Sequence, residues 1–282
     1  MIWKVRGRDV PLVKTLLMGI LNVTPDSFSD GGNSLQVGNA VKQAARLLQE
    51  GADILDLGAE STRPGAAPVS TEEELSRLVP ALRKIRAEFS TLISIDTTKP
   101  EVARICLEEG ADIVNDVSGL KDSGPEMAHL VADTGAGLVL MHRRGRPETM
   151  QSLADYRDVI SEVYEELNES AALAMDAGVS RAQIIMDPGL GFAKTAEQSL
   201  EILRFLERFH EAGFPILLGP SRKSFIGFAT GRGTGEREFG TAAVCALAVL
   251  KGVHVLRVHE PAPMRDVVNM MESIQGADHV RS

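Results

Sequence analysis

The sequence predicts an α/β fold, a (β/α)8 TIM barrel with a short N-terminal β-hairpin. Short apolar runs rich in Ile, Val and Leu alternate with longer segments that have helical spacing, as in chains built from βα units. There are eight such runs, which is the number of strands that closes this barrel. An open doubly wound sheet would also alternate, but its first strand is expected to lead into a Gly-x-Gly-x-x-Gly segment, and none follows here.

The predicted strands are short, and most of them follow a glycine that suits a helix C-terminus. They span residues 16–21, 54–57, 92–95, 113–115, 138–141, 184–186, 216–218 and 255–258. The preceding glycines are Gly51, Gly110, Gly135, Gly178, Gly213 and Gly252. Two earlier runs, 2–5 and 10–12, flank the turn Gly7-Arg8-Asp9 and predict a hairpin that plugs one end of the barrel.

Eight helices are predicted between the strands from apolar residues spaced three and four apart. They span residues 39–50, 71–88, 100–109, 125–133, 156–177, 196–212, 240–251 and 264–273. The second of these helices is expected to begin with a capping box formed by Thr71 and Glu74.

The composition fits one large domain covering residues 1–282. Of the 282 residues, 44% are hydrophobic, which supplies a sizeable core. A net charge of -9 argues against nucleic acid and anionic membranes as partners, because both favour a basic face. The charged N-terminus and the lack of any apolar run near about 20 residues argue against a signal peptide or a spanning helix. Cys106 and Cys245 have neither a metal-site nor a disulfide spacing, so we expect two core residues in a cytoplasmic protein.

The stretch from Met18 to Gly32 begins as a buried strand and continues as a long polar loop. Asn22 lies near the end of the predicted strand, and the loop beyond it carries Asp26, Phe28 and Asp30. A loop of this length is usually functional. We therefore expect it to be a lid that orders on a substrate.

Polar side chains follow every predicted strand. They are Asn22, Glu60, Thr62, Arg63, Asp96, Asn115, His142, Asp187, Ser221, Arg222, Lys223, Arg257 and His259. The active site of a βα barrel forms where the C-terminal ends of the strands converge. One such residue could be a cap or a turn, but a set from every strand predicts a shared polar pocket.

Part of this set suits a flat heterocycle with an amino-oxo edge. Asp96 and Asp187 are carboxylates that can each accept two parallel N–H donors, and Asn115 adds an amide. Lys223 adds a donor for a ring oxygen or nitrogen. The alternative interpretation makes Asp96 or Asp187 a helix N-cap.

A second part of the set suits phosphate. Arg63, Arg257 and His259 carry planar or ring donors that match phosphate oxygens, which suggests a diphosphate. The alternative makes the two arginines surface ion-pair partners. Residues 221–224 are either a solvated basic turn or an anion site of the kind found after strand seven of such barrels. Three further arginines, at positions 143, 144 and 146, resemble a nucleic-acid patch, but the acidic net charge disfavours it.

Eight segments, in one order over nearly the whole chain, resemble dihydropteroate synthase, an enzyme family of the folate pathway. They are residues 18–32, 58–65 (Gly-Ala-Glu-Ser-Thr-Arg-Pro-Gly), 95–99 (Ile-Asp-Thr-Thr-Lys), 115–119, Met141-His142, 187–195, 221–227 and 257–259 (Arg-Val-His). The resemblance implies condensation of (7,8-dihydropterin-6-yl)methyl diphosphate with 4-aminobenzoate to give 7,8-dihydropteroate and diphosphate. It also implies Mg²⁺ at Asn22, with Asp26 or Asp30 as further candidates, and a homodimer. The Ala-rich segment 241–250 is expected to pack within the barrel shell or against a partner.

The resemblance also assigns roles to individual residues. The pterin diphosphate is expected to contact Thr62, Asp96, Asn115, Asp187, Phe192, Lys223, Arg257, Val258 and His259. The 4-aminobenzoate is expected to contact Thr62, Pro25, Phe28 and Ser221. Catalysis is expected from Asp96, Asp187, Lys223, Arg63, Arg257 and His259, with the carboxylates stabilising a cationic ring and the cations stabilising the departing diphosphate. Phe28 and Phe192 are alternatively ordinary buried aromatics.

Three positions depart from the family pattern: Ala59 where a second glycine is usual, Arg143 where methionine is usual, and Glu260 where aspartate is usual. Two other functions stay open. A methyltetrahydrofolate-type methyltransferase shares the acidic pterin residues but needs neither the Asn22 loop nor residues 221–223. A non-catalytic protein would bind pterin or an anion without turnover.

Overall fold

The computed structural model describes residues 1–24, 33–61 and 65–276, and it contains the predicted barrel. The strands are β1 (Ile2–Val5) and β2 (Arg8–Pro11) in an antiparallel hairpin, then β3 (Leu16–Asn22), β4 (Ile54–Gly58), β5 (Leu92–Asp96), β6 (Ile113–Asp116), β7 (Gly137–Met141), β8 (Ile184–Asp187), β9 (Leu217–Leu218) and β10 (Val255–Val258) in one parallel sheet. The sheet order is β8-β7-β6-β5-β4-β3-β10-β9. Its two edges meet through a parallel bridge between Met186 and Ile216. The sheet is therefore a nearly closed barrel, and the predicted fold is confirmed.

Helices surround the barrel. They are α1 (Asn33–Gln49), α2 (Thr71–Glu88), α3 (Pro100–Glu108), α4 (Gly124–Thr134), α5 (Val159–Asp176), α6 (Ala196–Arg204), α7 (Glu207–His210), α8 (Ser224–Thr230), α9 (Glu238–Leu250) and α10 (Pro261–Ile274). Across the described part of the chain, none of these helices has the length and apolar character that crossing a bilayer requires.

The hairpin closes the N-terminal end of the barrel, as predicted. Trp3 and Val5 are fully buried and pack with the first inward-facing residues of the strands, including Ile54 and Ile113. The Trp3 indole N–H donates to the Gln183 carbonyl at 2.7 Å, which satisfies its buried polar atom. The interior is therefore filled at this end and can hold a ligand only at the other.

Side chains alternate between the two faces of each strand. In β4, Leu55 and Leu57 join the large apolar cluster between barrel and helices, whereas Ile54 points to the barrel axis. Asp56, two residues after Ile54, shares that inward face. The same two-residue step brings polar side chains of other strands to the C-terminal mouth of the barrel.

Most predicted elements agree with the structure, and the glycines predicted to end helices have positive φ, for example +68° at Gly135, the C-cap of α4. Two helix predictions are wrong, and one helix was missed. The first helix begins at Asn33 rather than at residue 39, the predicted helix at 196–212 is two helices, α6 and α7, and α8 was not predicted.

The predicted capping box of α2 is also wrong. Ser70 is the N-cap, and its hydroxyl accepts from the Glu73 N–H at 3.2 Å. Glu74 is fully buried and accepts instead from the Lys99 ammonium at 2.7 Å. A tertiary ion pair has therefore taken the side chain that the local pattern assigned to the cap.

Candidate active site

The residues predicted to bind a flat ring meet at the C-terminal mouth of the barrel. Asp96 is the last residue of β5, and its register partner in β6 is Asn115. Arg257 lies on the inward face of β10, two residues after the buried Val255. Strands from across the sequence thus supply one polar pocket.

The Arg257 guanidinium lies between two buried carboxylates. Its Nε donates to Asp56 Oδ2 at 2.6 Å, and an Nη donates to Asp96 Oδ2 at 2.8 Å. Asn115 Nδ2 donates to the same Asp56 oxygen at 3.4 Å. Within the described residues, Asp56 Oδ1 and Asp96 Oδ1 are buried without a hydrogen-bond partner. Buried acceptors of this kind favour a ligand that brings N–H donors.

A third acid, Asp187, and a lysine, Lys223, lie beside this cluster. Asp187 ends β8 and accepts from the Gly189 N–H at 2.8 Å. The Lys223 ammonium lies 3.8 Å from the centre of the Phe192 ring, a cation–π contact that orients the lysine. The helix-cap interpretation is wrong for Asp187, because the next helix, α6, begins at Ala196 and has Thr195 as its N-cap.

The pocket shifts the pKa values of Asp96, Asp187 and Lys223. Burial raises the pKa of Asp96 to about 7, against the opposing charge of Arg257. Burial likewise raises the pKa of Asp187 to about 6, against the Gly189 N–H and the positive charge of Lys223. Burial lowers the pKa of Lys223 to about 8, although Asp187 opposes this shift. Acids and a base poised near neutrality are typical of functional sites.

Ser221 and His259 form the next part of the mouth. The Ser221 hydroxyl lies 3.0 Å from His259 Nδ1 and accepts from the His259 main-chain N–H at 3.3 Å. Arg222 turns away and donates to Glu260 Oε1 at 2.9 Å, and Glu260 also accepts from Arg46 at 3.1 Å. Glu260, one of the departures from the family pattern, therefore ties two surface arginines together.

The structure does not separate acidic and cationic halves as cleanly as the sequence suggests. Arg257 was grouped with the phosphate-binding cations, but two of its donors are used by Asp56 and Asp96. Buried carboxylates need a compensating charge, and Arg257 is the cation in contact with both. Val258 is fully buried and packs in the core between barrel and helices, so its predicted substrate contact stays a prediction.

Four predicted site residues, Pro25, Phe28, Thr62 and Arg63, lie outside the described residues, as do Asp26 and Asp30. Their contacts to 4-aminobenzoate or diphosphate stay predictions.

Asn22 ends β3 at the mouth, where its amide oxygen is the predicted contact for Mg²⁺. The residues described by the structure contain no group of three or more His, Cys, Asp or Glu side chains able to hold a metal ion. One amide oxygen fits Mg²⁺ only when substrate phosphates and water complete the coordination. The donor set is therefore compatible with a metal that arrives with a diphosphate.

Two of the three arginines that follow β7, Arg143 and Arg144, pair with neighbouring acids. Arg143 is buried and pairs with Asp122, and Arg144 pairs with Glu162 at 2.8 Å and with Glu166. Arg143 also lines a cavity of about 240 Å³, which Asp96 lines as well. The charges of these two arginines are therefore compensated within the chain.

Two buried polar residues were not predicted as part of the site. Asp56 was missed because it lies inside an apolar strand, although a carboxylate within Ile-Leu-Asp-Leu is itself a signal. Lys194 was missed because it follows the β8 loop, where lysine is usually solvated. His142 was predicted as a pocket residue but is buried beneath it, against Lys194.

Comparison with known proteins finds a matching family and similar relatives. The model of the family described as "Pterin binding enzyme" matches residues 18–259. A dihydropteroate synthase of Synechocystis is 47% identical over 262 residues, covering 93% of this chain and 90% of that relative.

Solved structures agree. A Xanthomonas albilineans dihydropteroate synthase with 4-aminobenzoic acid superposes with a TM-score of 0.91 at 40% identity, covering 99% of this chain and 100% of that one. A structure of dihydropteroate synthase from the same organism in complex with 7,8-dihydropteroate gives a TM-score of 0.87 at 38% identity, covering 98% and 100%.

Proposed function

This chain belongs to the pterin-binding enzyme family, and from that premise we propose that it has dihydropteroate synthase activity. It condenses (7,8-dihydropterin-6-yl)methyl diphosphate with 4-aminobenzoate and releases diphosphate. The observation that carries the proposal is the cluster of Asp56, Asp96 and Arg257, with Asn115 above it, at the barrel mouth. A buried set of carboxylate and amide groups matches the donors and acceptors along one edge of a pterin.

The substitution is dissociative. The bond between the methylene carbon and the diphosphate oxygen breaks, and its electron pair leaves with the diphosphate. The amine nitrogen of 4-aminobenzoate then bonds to that carbon and loses its proton to solvent. Positive charge develops on the methylene group and spreads into the ring, where the Asp96 and Asp187 carboxylates stabilise it. Because these carboxylates are fixed before the reaction, they need no reorganisation as the charge forms.

The remaining residues bind and orient. Lys223, held over the Phe192 ring, donates to a ring oxygen or nitrogen. The His259 ring, held by Ser221, and Arg63 stabilise the departing diphosphate together with the donors of Arg257 that Asp56 and Asp96 leave free. The Ser221 hydroxyl is the proposed contact for the carboxylate of 4-aminobenzoate, with Thr62, Pro25 and Phe28 completing that subsite.

The proposal includes Mg²⁺ next to Asn22. Bound there with the diphosphate, the ion would neutralise part of the negative charge on the leaving group.

The proposal also includes a homodimer in the cytoplasm. Large apolar side chains are exposed on the adjacent helices α8, α9 and α10, with Phe239 90% and Phe228 61% accessible. α9 buries Cys245 and Ala248 against the barrel, so its inner face is already used. An exposed apolar surface across neighbouring helices suits an isologous contact with a second copy. Both cysteines are free and buried, as in proteins of a reducing compartment.

A steady-state assay of diphosphate release tests the activity. We expect release that depends on both pterin diphosphate and 4-aminobenzoate and that is lost when Mg²⁺ is chelated. Asp187→Asn should weaken the affinity for pterin diphosphate roughly 10- to 100-fold, because a charged acceptor is lost. Full turnover by Asp187→Asn with unchanged affinity would overturn the ring assignment. Tight binding of pterin diphosphate without release would instead indicate a non-catalytic binding protein.

A further inference from the structure

Lys194 is a buried lysine beneath the pocket that the proposed reaction does not use. Lys194 is only 2% exposed, so its side chain is enclosed by protein. The Nζ atom lies 2.8 Å from His142 Nδ1 and donates to the Phe192 carbonyl at 3.0 Å. Burying an amine is costly unless it is hydrogen-bonded, so the buried Lys194 amine depends on these two partners.

The direction of the bond to His142 follows from the other side of the ring. His142 Nε2 lies 3.2 Å from the Glu166 carboxylate, which only accepts, so Nε2 carries the hydrogen. Burial lowers the pKa of His142 to about 3, which keeps the ring neutral. Nδ1 is then a lone pair, and Lys194 must donate to it.

These two bonds hold a strained turn. Ala193, between Phe192 and Lys194, has φ +48°, a left-handed conformation that residues with a side chain rarely adopt. Such a conformation persists only where the surroundings enforce it. Lys194 bridges the turn by binding the Phe192 carbonyl on one side and the fixed His142 ring on the other.

The turn matters because the Phe192 ring supports Lys223. The Lys223 ammonium lies 3.8 Å from the ring centre, and Phe192 itself packs in a small buried cluster with Val117 and Met141. A shift of the Phe192 main chain would therefore move the ring and the lysine it orients.

We propose that Lys194 is a positioning residue: it fixes the main chain of Phe192 and, through the Phe192 ring, the Lys223 ammonium against the pterin. The inference rests on the proposed function, because it assumes that Lys223 contacts a bound pterin. Lys194 itself touches neither substrate.

The test is a double-mutant cycle on substrate affinity, measured by calorimetric titration of pterin diphosphate into the full-length protein. Lys194→Met removes the amine and keeps most of the volume. We expect it to weaken binding about 10-fold in the wild-type background but by no more than about 2-fold when Lys223→Met is already present, because residues that act through one another are not additive. Losses that multiply in the double variant would overturn the proposal.

Lys251→Met is the matched control. The Lys251 amine donates to the Arg204 carbonyl at 2.9 Å on the outer shell, after α9 and away from the barrel mouth, so its loss should leave the affinity unchanged. If Lys194→Met does not fold, His142→Leu removes the Nδ1 acceptor and should give a smaller loss that also vanishes beside Lys223→Met. Wild-type protein that binds no pterin diphosphate would overturn the proposed function as well, whereas tight wild-type binding with multiplied losses overturns this inference alone.

Discussion

Replacing Arg257 with methionine is expected to destabilise the protein strongly. The guanidinium binds Asp56 at 2.6 Å and Asp96 at 2.8 Å, and both carboxylates are buried. Removing the partner of a buried charge typically costs about 3–5 kcal/mol. For a chain of this length the cost corresponds to a fall in Tm of roughly 5–8 °C, at about 2.1 cal/mol/K of unfolding entropy per residue.

The loss of stability in Arg257→Met should depend on pH, because protonation of Asp96 removes the negative charge that the guanidinium compensates. The pKa of Asp96 is already raised to about 7 by burial while Arg257 opposes the shift, so the variant should raise it further. When the pKa of a carboxyl group is higher in the folded than in the unfolded protein, the free energy of unfolding falls as the pH rises toward the pKa of the folded state. The stability gap between wild type and Arg257→Met should therefore be wide near pH 8 and narrow near about pH 5.5.

Urea and thermal unfolding at the two pH values measure this gap. Arg83→Met is the control, because Arg83 pairs with Glu109 at the surface and its removal should change stability little at either pH. A loss from Arg257→Met that is equal at both pH values, or no larger than the control loss, would refute the electrostatic account of the cluster.

Three further predictions concern activity, backbone strain and assembly. The kcat/KM for pterin diphosphate should rise as Asp187 and Asp96 lose protons near pH about 6 and about 7, and fall as Lys223 loses its proton near about 8; a flat profile in the diphosphate-release assay would contradict these roles. Gly189→Ala should cost about 2–4 kcal/mol in urea unfolding, because Gly189 has φ +68° and a new Cβ would lie 2.1 Å from the His142 carbonyl oxygen. Gly231→Ala, at φ +70° with no atom within 4 Å, should cost only about 1 kcal/mol, and equal losses would remove the steric explanation. The proposed homodimer should be seen in sedimentation for the wild type and for Leu173→Lys, exposed on α5, whereas Phe239→Lys should yield a folded monomer. A dimeric Phe239→Lys variant would place the interface elsewhere, and a monomeric wild type would refute the proposed dimer.

The barrel was predictable because its signals are local and repeated. Strand runs, helical spacing and glycine C-caps recur through the chain, so an error in one element leaves the architecture unchanged. The capping-box error occurs where a tertiary contact decides. Glu74 fits a capping box by sequence spacing, but Lys99 binds its carboxylate, and that contact joins residues 25 positions apart.

The site was partly predictable for a related reason. A polar residue directly after a buried strand, such as Asp96, is visible in the sequence because the parallel topology fixes where that strand ends. The partner of each charge is not visible in the same way. Arg257 pairs with Asp56, 201 positions away, and no sequence spacing distinguishes that carboxylate from the others near the mouth.

The balance of charge in the pocket connects its pKa shifts to the chemistry. Asp56, Asp96 and Asp187 bring three carboxylates, whereas Arg257 and Lys223 bring two cations, which leaves one net negative charge when all are ionised. Burial is the main cause of the pKa of about 7 at Asp96, and the negative charge of Asp56 raises the pKa further. In the proposed mechanism a cation forms on the pterin as diphosphate leaves, and that cation would neutralise the excess negative charge. The neutral ring of the bound substrate neutralises far less of this negative charge. The charge imbalance therefore favours the transition state over the bound substrate.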